Sequence, residues 1–186
     1  MNKKLLVLIF LAVAVFFVAG FYYLNNSGNQ QISPKLVTDD FDMNIPEGWT
    51  QSSPAQGVSA MVVNSGEKID NAAAKEISFK SYFAVSRDVS EEGLPGYLET
   101  IKNSLAQVIP GIVFERERDG KINGRDAKII EAKMTQKGVD FRALVVLVKG
   151  DGEDVWTISF STIEEKWEGY KGIFNSVAES FKLKIK

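Results

Sequence analysis

The sequence predicts an α+β domain in which helices pack on the faces of a central antiparallel sheet, preceded by an N-terminal transmembrane helix. Three observations carry this. Apolar runs rich in β-branched and aromatic residues recur between Gly- and Asn-containing turns, two later stretches repeat their apolar residues every three or four positions, and Leu5 to Leu24 is uncharged and apolar. Short turns require antiparallel neighbours, because parallel strands need crossovers of a dozen residues or more. With the anchor subtracted, 186 residues leave room for one domain of ordinary size.

The chain opens with Lys3-Lys4 ahead of the apolar run, and residues 1–4 read as a cytoplasmic tip. Residues 5–24 are long enough as a helix to cross a ~30 Å hydrocarbon core. Positive charge on the short side keeps that end in the cytoplasm and puts the rest outside. Val18-Ala19-Gly20 also offers small residues for a signal peptidase, so the segment is an anchor or a cleaved signal, and both place the domain outside. The length of the run and Tyr22-Tyr23 favour the anchor. A lipoprotein would need Cys at position 21, where Phe stands. Residues 25–38 are polar, contain Gly28 and Ser33-Pro34, and read as a flexible tether.

From residue 39 to 186 the elements follow in order. Phe41 to Ile45 alternates as a half-buried strand and ends in Pro46-Glu47-Gly48 before Trp49. Val58 to Val63 is a second strand, closed by Asn64-Ser65-Gly66, and Glu76 to Val85 a third, with Ile77, Phe79 and Phe83 inward. A helix follows, with Pro95 in its first turn, a stripe of Leu94, Tyr97, Leu98, Ile101, Leu105 and Val108, and a stop at Pro110-Gly111. Ile112 to Arg118 is a strand closing in Asp119-Gly120, and Asn123-Gly124 signals a two-residue hairpin into Ala127 to Met134. Lys137-Gly138 turns into the Phe141 strand. The runs Ala143–Val148 and Val155–Phe160 then flank Gly150-Asp151-Gly152, a tight hairpin signal.

The last helix expects Ser161 or Thr162 as its N-cap, with Glu164 and Glu165 completing a capping box. Trp167, Tyr170, Phe174, Val177 and Phe181 form its apolar stripe, and Glu168, Lys171, Asn175 and Glu179 take the other face. Lys182 to Lys186 alternates charge with apolar residues, as an edge strand does.

Composition excludes much chemistry. There is no Cys, hence no disulfide, thiol nucleophile or thiolate metal site, and no His, the commonest general base and nitrogen ligand. Net charge is -2, and without Lys3 and Lys4 acidic side chains outnumber basic ones, so no basic surface suggests nucleic acid. Asp39, Asp40 and Asp42 are a candidate Ca²⁺ cluster, as are Asp151, Glu153 and Asp154 in their hairpin. Neither has the Asp-x-Asp-x-Asp-Gly series of a calcium loop, and solvated-strand and turn chemistry account for both. Glu115-Arg116-Glu117-Arg118-Asp119 is a docking surface or the wet face of a sheet. Trp49 and Trp156 are stacking platforms or core, with core favoured. Gly120 to Gly124 with Lys121 and Arg125 lacks Walker spacing. Carboxylate pairs are the remaining route to catalysis, and no spacing sets two of them at a cleft.

The stretch Phe41-Asp42-Met43-Asn44-Ile45-Pro46-Glu47-Gly48-Trp49, with Ser180-Phe181 at the end of the last helix, resembles PsbP-like domains. That superfamily also holds the Ran-binding Mog proteins and bacterial DcrB, and the resemblance covers roughly residues 39–186 on the grain of single-sequence readings. It implies an α/β/α sandwich and a non-enzymatic domain that binds or stabilises larger protein assemblies, often at a membrane. Fold does not carry function with it, and the photosystem role of plant members is not transferred. The expectation is therefore an extracytoplasmic accessory or scaffold for an envelope protein complex, held to the membrane by residues 5–24, with a protein partner and no cofactor. The alternative is a small-ligand or Ca²⁺-binding domain, and a carboxylate-dependent hydrolase comes last.

Overall fold

The computed structural model describes residues 35–184. The expected anchor at 5–24, most of the tether at 25–38, and Ile185 and Lys186 lie outside them. Among the described residues no helix is long and apolar enough to cross a membrane.

The described residues form ten strands: β1 (Lys35–Val37), β2 (Phe41–Asn44), β3 (Thr50–Ser52), β4 (Ala60–Val63), β5 (Tyr82–Val89), β6 (Val113–Ile122), β7 (Arg125–Gln136), β8 (Val139–Lys149), β9 (Asp154–Ile163) and β10 (Lys182–Leu183). Within the same residues three α-helices join them: α1 (Ala72–Glu76), α2 (Gly93–Val108) and α3 (Trp167–Glu179). Seven strands form one antiparallel sheet in the order β3-β4-β5-β9-β8-β7-β6, and β1-β2-β10 form a second, smaller one.

β8 explains the layering. Its side chains alternate, so Leu144, Val146 and Val148 enter one core while Phe141, Val145 and Leu147 enter another. The first core is covered by α3 and the small sheet, through Phe174, Val177, Phe41, Met43 and Phe181. The second is covered by α2 through Leu94, Tyr97, Leu98, Ile101 and Leu105. The expected antiparallel sheet with helices on both faces is what forms.

Connection chemistry sets the order of strands. Asn123-Gly124 and Lys137-Gly138 place both residues at positive φ (46° and 81°, 49° and 75°), the backbone that matches the right-handed twist of two-residue hairpins. They make β6-β7-β8 a meander. Helix α2 instead carries the chain from β5 across the sheet to β6, which leaves β9 to close against β5 and puts β6 at the far margin.

Several expectations are corrected. Lys35–Val37, read as tether, pairs with β2, and Thr50–Ser52 adds a strand after Trp49. The segment from Glu76 is not strand: Asn71 Oδ1 accepts from the Ala74 amide at 3.0 Å and starts α1, whose Ala-Ala-Ala-Lys-Glu favours helix. The chain then turns at Ser78 (φ 51°), and the strand begins only at Tyr82. Phe83 is fully buried as expected, while Ile77 and Phe79 pack from the loop. The capping box at Ser161 or Thr162 does not form, because β9 continues to Ile163, paired with Phe141. Thr162 is buried against Ser81, a 3-10 turn of Glu164–Lys166 follows, and α3 starts at Trp167. β6 runs past Asp119-Gly120 to Ile122. Val108 is exposed, since the chain leaves α2 there and Ile109 takes the buried place. The C-terminal strand pairs with β2 at the margin of the small sheet.

Candidate functional site: the outer edge of the large sheet

Each residue group singled out in the sequence has a definite place. Trp49 is 3% exposed and packs on Phe83, Tyr170 and Phe174 (centroids 6.2, 5.8 and 6.2 Å); Trp156 is buried against Phe41 and Phe181. Both are core. Asp42 pairs with Lys35 and Lys184 at 3.7 and 3.4 Å, and the Asp40 carbonyl accepts the Lys184 amide. Asp151 binds Arg125 at 2.8 Å, Asp154 binds Arg87 at 2.7 Å, and the Glu153 carbonyl accepts the Ser90 amide. Among the described residues no three acidic side chains converge as a metal site would require. Lys121 is held by Asp126, whose carboxyl it keeps below the usual range, and Arg125 by Asp151. The Gly120–Gly124 stretch is the end of a strand and its hairpin turn.

Two buried polar groups escaped the sequence reading. Glu67, 6% exposed, accepts from the Ser81 amide (2.6 Å) and hydroxyl (2.9 Å), and Ser81 meets Thr162 at 2.8 Å. Burial and the neighbouring Glu67 carboxylate push the Tyr170 hydroxyl up to about 12, and it accepts from Asn64 at 2.8 Å. This network ties the 64–71 loop to β5, β9 and α3. Glu131, also buried, receives Lys171 at 3.0 Å. Beside it the Arg142 guanidinium and the Lys171 ammonium each lie 5.6 Å from the Trp167 ring, and Arg142 is gripped by Glu115 and Glu164. No local pattern marks such residues, because their partners come from strands and helices far apart in the chain.

The charged stretch Glu115–Asp119 is where the fold adds most. It lies in β6, whose outer side has no strand partner among the described residues, so its outward amides and carbonyls face solvent. Ten residues at ~3.3 Å each make this edge about 33 Å long. The other edge strands among the described residues are shorter: β1 and β3 have three residues each and β10 has two.

Register places Arg116 opposite Glu131 and Arg118 opposite Ile129, on the α3 face, and Glu117 opposite Ile130 and Asp119 opposite Lys128, on the α2 face. Lys102 of α2 reaches Glu117 at 3.2 Å and Lys128 reaches Asp119 at 2.6 Å; both ammonium groups are held above the usual lysine range by these carboxylates, with Glu99 the larger cause at Lys102. On the other face the arginines are less matched. Arg116 stands 4.0 Å from Glu131 with 65% of its side chain exposed, and Arg118 donates to the neutral Asn175 amide oxygen at 3.0 Å. A bulge between Phe114 and Arg116 bends the strand where Val113, half exposed, and Val108 present apolar surface.

The domain is an antiparallel sheet between one helix and a second helix backed by a small sheet, with a strand–Pro-x-Gly-Trp turn near its start. No family model matches the sequence, and no curated protein matches it. Solved structures do. The solution structure of cyanobacterial PsbP (CyanoP) from Synechocystis sp. PCC 6803 superposes with a TM-score of 0.57 at 16% identity, over 86% of this chain and 98% of that one. LpqN, involved in cell envelope biogenesis of Mycobacterium tuberculosis, gives 0.58 at 10% identity over 78% and 83%. A Mog1 variant gives 0.55 at 11% identity over 84% and 96%. The likeness establishes the shared PsbP-like fold.

Proposed function

We propose that this protein is a non-enzymatic accessory domain, held at the outer face of a membrane by residues 5–24, that binds a protein partner of an envelope complex through the outer edge of β6. The observation that carries it is the ten-residue edge strand whose outward backbone hydrogen-bonding groups and both faces are exposed, with Val113 adding exposed apolar surface at its start. An exposed edge of this length recruits added strands unless it is covered, and main-chain pairing then supplies affinity while side-chain pockets supply specificity. LpqN, a neighbour in fold, is involved in envelope biogenesis, which agrees with this role.

Site-specific photo-crosslinking tests it. A benzophenone amino acid at Val113, in full-length protein in its own membranes, is expected to trap one stoichiometric protein partner; the same group at Val37, exposed on the small sheet, is expected to trap none. No adduct at Val113, or the same adducts at both positions, would refute docking at this edge.

A further inference from the structure

The chemistry of the edge also says what kind of strand fits it, a step that rests on the proposed docking at β6. A second copy of this chain is the first candidate. A closed dimer through β6 needs antiparallel strands about a two-fold axis perpendicular to the sheet, because that is the operation that brings two identical edges together as one pleated sheet. Such an axis joins α3 face to α3 face and α2 face to α2 face. With the axis at Glu117 or Arg118 it therefore sets the row of Arg116 and Arg118 against the same arginines, and the row of Glu117 and Asp119 against the same acids. Like charges directly opposite are destabilising. The alternating order Glu-Arg-Glu-Arg-Asp is thus self-repelling where the two charged stretches overlap fully, and a second copy escapes this only by sliding outward until Lys121 meets Glu117.

The same arrangement is complementary to a different strand. The α2-face acids already have Lys102 and Lys128, whereas the α3-face arginines have one long ion pair and one neutral amide between them. Arginine's planar donors match carboxylates in paired hydrogen bonds. We infer that the β6 edge accepts an extended segment of another protein carrying two carboxylates two residues apart, which lie on the α3 face against Arg116 and Arg118. The residue between them faces Glu117 and is basic or neutral, and an apolar residue beyond them covers Val113.

The probe is a pair of capped peptides, Val-Thr-Glu-Lys-Glu-Thr-Val and its charge-exchanged counterpart Val-Thr-Lys-Glu-Lys-Thr-Val, titrated into full-length protein in detergent and followed by peptide fluorescence anisotropy. The Glu-Lys-Glu peptide is expected to bind, to weaken with added salt, and to suppress formation of the Val113 adduct when present during irradiation; the exchanged peptide is expected to bind at least about tenfold more weakly. Arg118→Glu should reverse the preference, and Arg118→Gln, which keeps a hydrogen-bonding side chain next to Asn175, should abolish it with an unchanged urea midpoint. Sedimentation should give a single unassociated species. Equal binding of both peptides, binding of neither, a dimer crosslinked through Val113, or a Val113 adduct to the chain's own residues 1–34 would each overturn the inference. A partner trapped at Val113 while both peptides fail removes the acidic-strand specificity alone; absence of any adduct removes the docking site itself.

Discussion

Phe174 is the residue at which the packing of α3 can be tested most sharply. It is 1% exposed, and its ring meets Phe160 at 4.9 Å, Tyr170 at 5.7 Å, Trp49 at 6.2 Å and Trp167 at 6.3 Å. These neighbours belong to β9, α3 itself and the turn before β3, so the ring joins three parts of the fold. Phe174→Ala forfeits about 2 to 3 kcal/mol of transfer free energy. Rigid aromatic neighbours from separate elements close the void poorly, which adds a cavity contribution and brings the total to about 3 to 5 kcal/mol. For a domain of ordinary stability that is a third or more of the whole. Urea unfolding followed by tryptophan fluorescence reads it directly. At a slope of roughly 2 kcal/mol per molar, the midpoint should fall by about 2 M with the slope unchanged. Ile173→Ala, one residue away and 38% exposed, should stay within about 0.5 kcal/mol. A Phe174→Ala loss below about 1 kcal/mol at constant slope would mean that α3 does not close the core.

Glu67→Ala should cost about 2 to 4 kcal/mol, since it strands the buried Ser81 amide and hydroxyl, and Glu67→Gln should cost less; equal losses for both in the same urea assay would contradict the hydrogen-bonding role. Tyr170 gives a pH dependence. Its folded-state value of about 12 lies above the ordinary 10, so the folded state holds the proton more tightly. Its contribution is complete below about pH 10 and is lost as pH rises from there through 12. Tyr82 and Tyr97, raised further by burial, and Lys102 and Lys128, raised by their carboxylates, drive stability down in the same alkaline direction. The readout is therefore the difference between the protein and Tyr170→Phe: urea midpoints from pH 8 to 11.5 should fall less steeply in the variant, and parallel curves would count against the half-buried setting of Tyr170 beside Glu67.

How much of this was legible beforehand differs by residue. The hairpins at Asn123-Gly124 and Lys137-Gly138, the α2 stripe from Leu94 to Leu105, the α3 stripe from Trp167 to Phe174 and the buried Trp49 all follow from periodicity and turn chemistry, which act within a few residues. The start of α3 was misplaced because Thr162 has the side chain of a helix cap, and only its burial against Ser81, 81 positions away, turned it into strand. Glu76 likewise reads as part of an alternating run until Asn71 nucleates α1 before it. For the candidate site, the sequence set the alternation of Glu115 through Asp119, and with it the division of charge between two faces. Whether that strand lies inside the sheet or at its margin depends on where the α2 crossover sets it down, a long-range outcome of packing Leu98 and Leu105 over β7 and β8. Local chemistry determined what β6 is made of; tertiary topology decided that its edge faces solvent, because edge position belongs to the order of strands and not to any one of them.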